Sequence, residues 1–276
     1  KAIEIGLPID PAGGKKAEMP VPENLNFDAW LGCTPKAFYT EDRVHPQKDF
    51  SRPGWLRLNA HTCGMITGWG SHHVDISHWG MGTEYTGPIA VDAKATWPGP
   101  DSFWDVHGKY SVKLTYANGV ITTISDELPN GVKFFGENGW IWVSRGSMAA
   151  TKSDPTAGQK PSKALNASDE KLLKIPDSEL KVKLHRSPNW DHHLDWLEAV
   201  RNRTEAVTNP ETGHRSCTGC LTSWIGMKLG RPLKWDPDKE QFNDAEANKM
   251  LHRPERAPYG AFNAAKKAGF TQFKKL

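Results

Sequence analysis

The residues richest in chemistry lie in one stretch, Gly64-Met-Ile-Thr-Gly-Trp-Gly-Ser-His-His-Val-Asp-Ile-Ser-His-Trp-Gly-Met-Gly82, with three histidines and one aspartate within seven residues. On a helix, residues three and four apart are neighbours, so His72, Asp75, Ile76 and Trp79 share a face. The preceding glycines let the backbone turn sharply and approach a ligand closely. A histidine at the mouth of such a turn exchanges protons near neutral pH. The competing reading is that His72 and His73 cap the helix and satisfy core hydrogen bonds. His72, Asp75 and His78 have ligand chemistry, but their spacing is not that of a recognised zinc motif, so no metal is expected.

Other motifs carry less. Gly68-Trp-Gly70 is not a dinucleotide fingerprint, because His73 stands where the third glycine belongs and no strand–helix–strand unit surrounds it. No phosphate-binding loop occurs, so no cofactor-phosphate site is recognisable in this chain. Cys217-Thr-Gly-Cys220 falls inside an expected helix beside the apolar stripe Cys217, Leu221, Trp224 and Ile225. Zinc would need two further ligands, so buried small hydrophobes are the better reading. Asp191-His-His193 opens a late helix, where Asp191 suits the positive end of the dipole and a capping role. Asn166-Ala-Ser168 and Asn202-Arg-Thr204 match the glycosylation triplet, a weak signal.

The elements that must position these residues follow from periodicity. Residues 1–7 alternate as a half-buried strand, and 8–26 are proline-rich loop. Asn26 caps a short helix over 27–31, and 32–63 is an irregular, ligand-facing surface segment. A helix is expected over 72–80 and a strand over 89–97. Val106–Tyr116 and Val120–Ser125 flank Asn118-Gly119, which predicts a type I′ hairpin. Gly131–Phe135 and Trp140–Ser144 repeat the pattern, giving an antiparallel meander of at least four strands. Residues 146–180 form a long polar excursion. Ser187 caps a helix running to about Arg201, with Trp190, Leu194, Leu197 and Val200 on one stripe. Asn209-Pro210 opens a second helix that ends at Gly230, and 231–276 read as an extended charged tail. Strands cluster rather than alternate with helices. The fold class is therefore α+β with an open, mainly antiparallel sheet and helices on one face. The expected division is 1–230 as the domain and 231–276 as a tail packed on it.

Composition bounds the function. The chain has 276 residues, 24% of them charged, and 12 Trp with 10 Phe supply ample core material. No run of apolar residues is long enough for a membrane span. Lys1–Leu7 reads as a strand rather than a signal peptide, and without an initiator Met the chain reads as cut from something longer. A net charge of +3, with basic pairs only at the tail (Lys266-Lys267 and Lys274-Lys275), does not imply nucleic acid. Four cysteines are too few for a disulfide scaffold and leave the compartment open.

Gly68-Trp-Gly70-Ser-His72-His-Val-Asp75 resembles the hallmark of Gfo/Idh/MocA-type oxidoreductases, a glycine-rich turn leading into Asp-x-Gly-x-His-x-x-Asp. Further stretches are similar to the bacterial glycoside-processing branch of that family. They are Trp30–Pro35, Tyr39, Arg43–Pro46, Arg52–Trp55, Asp105–Gly108, Tyr116–Gly119, Gly139–Arg145, Gly213–Cys217 and Met227–Gly230. The resemblance implies the C-terminal domain of a two-domain enzyme, whose absent N-terminal Rossmann domain would hold NAD or NADP. It places His72 at the family's catalytic histidine, which takes a hydroxyl proton during hydride transfer. The family's assisting aspartate is Gly68 here, which leaves His73, Asp75 or Asp191 as substitutes. Tyr39, Arg43, Arg57 and Trp69 become sugar contacts. The implied partners are a sugar or glycoside and a second copy, because a one-sided sheet rich in tryptophan needs cover. Export to the periplasm is implied by resemblance alone, with the cytoplasm left open. Two alternatives stand beside this: a non-catalytic carbohydrate-binding or subunit-interaction module, and a relative that recycles its NAD for glycoside cleavage or elimination.

Overall fold

The computed structural model describes residues 1–44, 53–145, 163–180, 182 and 187–270, apart from the Trp190 side chain. His45, Pro46, Arg52, Lys274, Lys275 and residues 146–162 of the expected polar excursion lie outside them. The elements in chain order are β1 (Ala2–Gly6), α1 (Phe27–Leu31), α2 (Glu41–Val44), α3 (Met65–Gly68), α4 (Gly70–Met81) and β2 (Pro88–Ala95). Then come β3 (Tyr110–Tyr116), β4 (Ile121–Ser125), β5 (Gly131–Gly136), β6 (Gly139–Val143) and β7 (Leu165–Ala167). The chain continues through α5 (His192–Asn202), α6 (Pro210–Leu229), β8 (Leu233–Asp236), β9 (Gln241–Phe242), α7 (Ala245–Lys249) and α8 (Ala261–Lys267).

The strands form one nine-stranded sheet in the order β7-β6-β5-β1-β4-β3-β2-β8-β9. It is antiparallel except between β1 and β4, so the α+β reading with a mainly antiparallel sheet holds. The uninterrupted meander does not. β4 and β5 are separated by β1, whose Ile3 and Ile5 sit opposite Thr122 and Ile124 on one side and Phe134 and Val132 on the other. The slot is tight: a Cβ on Gly6 would lie 1.8 Å from the Pro129 carbonyl oxygen.

Alternation sets the two faces. On β3, Tyr110, Val112, Leu114 and Tyr116 are buried, while Ser111 and Lys113 are exposed. The buried face joins Ile3, Ile5, Val91, Ala93 and Ile124 in the main core, on which α4 and α6 lie. Both helices contribute to that core, Val74 from α4 and Cys220 and Met227 from α6. The expected tail also does structural work. β8 extends the sheet from β2, and Leu233, Trp235, Phe242 and Ala247 build a second core against Ile225 of α6. No described helix is long and apolar enough to cross a membrane.

Local chemistry explains the element ends. Asn26 accepts from the Ala29 amide, as expected of a cap. Asn209 caps α6 through the Thr212 amide, Pro210 fills its first position, and Gly230 ends it with φ +62°. Two boundaries differ. Only Gly119 of Asn118-Gly119 has positive φ, so the hairpin is not type I′, which needs both. Instead the Gly119 amide returns to the Tyr116 carbonyl, and Asn118 Oδ1 accepts from the Val120 amide. The late helix begins at His192 rather than after Ser187, because Asn189 has φ 51° and breaks it, leaving Asp191 as the cap. Of its expected stripe, Leu197 and Val200 are exposed.

Candidate functional site

The site is built on α4. Gly64 has φ +78° and caps α3, and a Cβ there would meet Val106 at 2.9 Å and the His107 ring at 3.2 Å. A Cβ on Gly70 would lie 3.4 Å from Cys220 Sγ and 3.5 Å from Leu7, and one on Gly219 of α6 would lie 3.1 Å from Val74. The glycines therefore serve close packing of α4 against α6 and the sheet. This corrects the expectation that they approach a ligand.

His72 and His73, neighbours on α4, differ in burial although both rings lie beside Trp69. His73 is 1% exposed and its Nε2 lies 2.9 Å from Asn130 Oδ1. His78 is fully buried, with Nε2 at 3.0 Å from the Tyr116 hydroxyl. Burial pushes both down to about 4, so both are neutral near pH 7. The two contacts pin the helix to β3 and to the turn before β5. His73, sealed in at 1% exposure, is thus out of reach of a ligand, which corrects its candidacy at the site: the core-satisfying reading applies to this residue.

His72 is exposed, beside Trp69 with ring centroids 6.0 Å apart. The Arg145 guanidinium, just past β6, lies 5.3 Å from the Trp69 ring. Partial burial and the Arg145 charge hold the His72 pKa below its ordinary value, with Asp75 opposing them. Asp75 accepts from Ser216 Oγ of α6 at 2.7 Å. Burial raises its pKa, the Ser216 bond and His72 lower it, and Glu84 raises it. The cluster His72, Trp69, Asp75, Ser216 and Arg145 thus offers a neutral, accessible imidazole, an indole face, a carboxylate and a cation. That set can take a proton from a bound hydroxyl and hold a polar, ring-shaped molecule. Arg145 and Ser216 escaped the candidate list, because nothing in their local sequence marks them as neighbours of a helix far away in the chain.

The remaining candidates sit elsewhere. Tyr39 is buried edge-on against Phe27 at 5.3 Å. Arg43 is buried between Phe38 and Phe103, at 5.5 and 5.1 Å, and donates to the Phe38 carbonyl. Arg57 pairs with Asp10 at 3.2 Å and stacks 4.3 Å from Trp104. Arg43 and Arg57 fasten the 8–63 segment to Phe103 and Trp104, Tyr39 packs within the segment, and none of their described contacts is with α4. Asp191 caps α5 by accepting from the His193 and Leu194 amides, which is its capping reading. Cys220 is fully buried and Cys217 exposed, and neither is in a disulfide. Among the described residues no group of three or more His, Cys, Asp or Glu is placed to hold a metal.

Comparison with known proteins follows from this geometry. The family described as an oxidoreductase family, C-terminal alpha/beta domain, of Gfo/Idh/MocA type, matches residues 12–145 and 166–261. No curated protein matches the chain. Among solved structures, an NAD-binding protein from Listeria innocua is 13% identical over 84% of this chain and 54% of its own, with a TM-score of 0.40. An aldose-aldose oxidoreductase from Caulobacter crescentus, complexed with glycerol, is 18% identical over 65% of this chain and 50% of its own, with a TM-score of 0.42. A UDP-N-acetylglucosamine 3-dehydrogenase from Acidithiobacillus ferrooxidans is 12% identical over 83% and 55%, with a TM-score of 0.37. The chain spans about half the length of each.

Proposed function

This chain belongs to the Gfo/Idh/MocA oxidoreductase family as its C-terminal α/β domain, and from that membership we propose that it is the substrate-binding half of an NAD(P)-dependent enzyme acting on a sugar or glycoside hydroxyl. The observation that carries the reading is the division of labour on α4. His73 and His78 anchor the helix inside, and His72 is left outside, neutral and accessible. His72 takes the hydroxyl proton, for which an imidazole held below its ordinary pKa is already in the base form at neutral pH. Asp75, fixed by Ser216, stands one turn on and stabilises the imidazolium that results. This replaces the assistance of the aspartate that is Gly68 here. Trp69 supplies a face for a pyranose ring, and Arg145 a donor for its hydroxyls. The dinucleotide, which accepts the hydride, is held by residues outside this chain.

The test uses the full-length protein with a panel of sugars and glycosides and NAD or NADP. His72→Ala should lower kcat by a factor of about 100 to 10,000, the usual worth of a positioned base, with sugar binding retained. Unchanged turnover in that variant would overturn the role of His72. Absence of any oxidation in the intact protein, with cofactor bound, would favour the cofactor-recycling lyase. The same family reading has the uncovered sheet face, which carries half-buried Trp140 and Trp142 on β6, covered by a second copy. Light scattering of a monomer would refute that part.

A further inference from the structure

The far face of α6 carries a feature that the proposed reaction does not use. His214, Thr218, Leu221 and Ile225 lie at helical spacing on the side of α6 opposite Ser216, Cys220 and Ser223, which turn toward α4 and the core. On that side is a cavity of about 300 Å³, at the lower end of the range for small-molecule pockets. The apolar part of its lining is Leu221, Trp224, Ile225, Trp235, Met250 and Leu251. Trp235 is 5% exposed, and its indole N–H has no acceptor.

Arg253 lines this cavity, its guanidinium 5.5 Å from the Trp224 ring, while the Lys228 ammonium just outside the lining lies over Trp97 at 3.3 Å. Arg253 Nη2 donates to the Thr62 carbonyl and to Cys63 Sγ, both at 3.2 Å, and neither partner is an anion in its ordinary state. Burial raises the Cys63 pKa and keeps it a thiol. Among the described residues neither Arg253 nor Lys228 forms an ion pair. The one carboxylate lining the cavity, Glu240, is taken by His214 and by Arg215 at 3.4 Å. Apolar aromatic walls beside Arg253, which has no ion-pair partner among the described residues, fit a ligand with a flat apolar body and one anionic group. A guanidinium fork matches a carboxylate in two parallel hydrogen bonds.

We propose that this cavity between α6, β8 and the Met250–Arg253 segment is a second small-molecule site, distinct from the His72 cluster, that binds a planar aromatic carboxylate. The flat body lies against Trp224 and Trp235, and the carboxylate meets Arg253.

The test is calorimetric titration of the full-length protein with 2-naphthoate and with its uncharged analogue 2-naphthamide. The expected result is saturable 2-naphthoate binding, with 2-naphthamide weaker by about tenfold or more. Arg253→Leu should abolish that preference. Leu221→Glu, at a half-exposed position that tolerates charge, should weaken 2-naphthoate by at least a similar factor. His72→Ala should leave the binding intact, which separates this site from the proposed catalytic one. Three results would each overturn the proposal: no saturable binding, equal affinity for the two compounds, or insensitivity to both cavity variants.

Discussion

Acidification should unfold this chain through the two histidines that anchor α4. His73 and His78 have folded-state pKa values of about 4, against about 6.5 for an unburied imidazole. The sign follows from proton counting. Below about pH 6.5 the unfolded chain binds protons at these positions and the native chain does not, so stability falls with pH and the loss is complete near the folded values. Between about pH 7.5 and about pH 5, each histidine contributes a loss of about 2 kcal/mol, or about 4 kcal/mol together. Both rings are essentially unexposed, so little solvent screening reduces the figure. The assay is urea unfolding followed by tryptophan fluorescence at the two pH values. His78→Gln keeps a polar partner for Tyr116 and removes one titrating group. The drop between the two pH values should then shrink by about 2 kcal/mol, whatever the variant's absolute stability. A wild-type chain equally stable at both pH values, or a His78→Gln chain that keeps the whole pH dependence, would refute the reasoning. The consequence for function is that activity lost in acid reflects loosening of the helix under His72 as well as protonation of His72.

Further expectations follow from individual contacts. Arg145→Gln removes a charge that holds the His72 pKa down, so the acid limb of the kcat/KM profile should move to higher pH; an unmoved limb would separate Arg145 from His72. Asn130→Ala strips the buried His73 ring of its hydrogen bond and should cost about 1–3 kcal/mol in denaturant unfolding. Gly6→Ala drives a methyl group against the Pro129 carbonyl beneath the central strand. It should destabilise by about 1–3 kcal/mol or more, and a neutral result would mean that β1 is not locked in that slot.

Legibility in the sequence followed the range of the interactions involved. The caps Asn26 and Asn209, the Pro210 and Gly230 ends of α6, and the strands around Asn118-Gly119 were all readable, because each depends on residues a few positions apart. So was His72 as a candidate, since its spacing to Asp75 places both on one arc of a helix. The arc that meets the sheet was not readable. His72 and His73 differ by one residue, and only the packing of α4 against Tyr116, Asn130 and Cys220 decides that the first faces outward and the second is sealed in.

The sequence by itself determined the α+β class, the main strands and helices before Gly230 and the helix that carries His72, because periodicity and capping are properties of neighbouring residues. The tertiary structure alone decided that β1 divides the meander, that the glycines of the hallmark stretch face protein rather than ligand, and that Arg145 and Ser216 join His72 and Asp75. Those outcomes depend on pairing between segments many residues apart. Backbone hydrogen bonds and close packing fix that pairing, and a linear pattern of side chains does not record it.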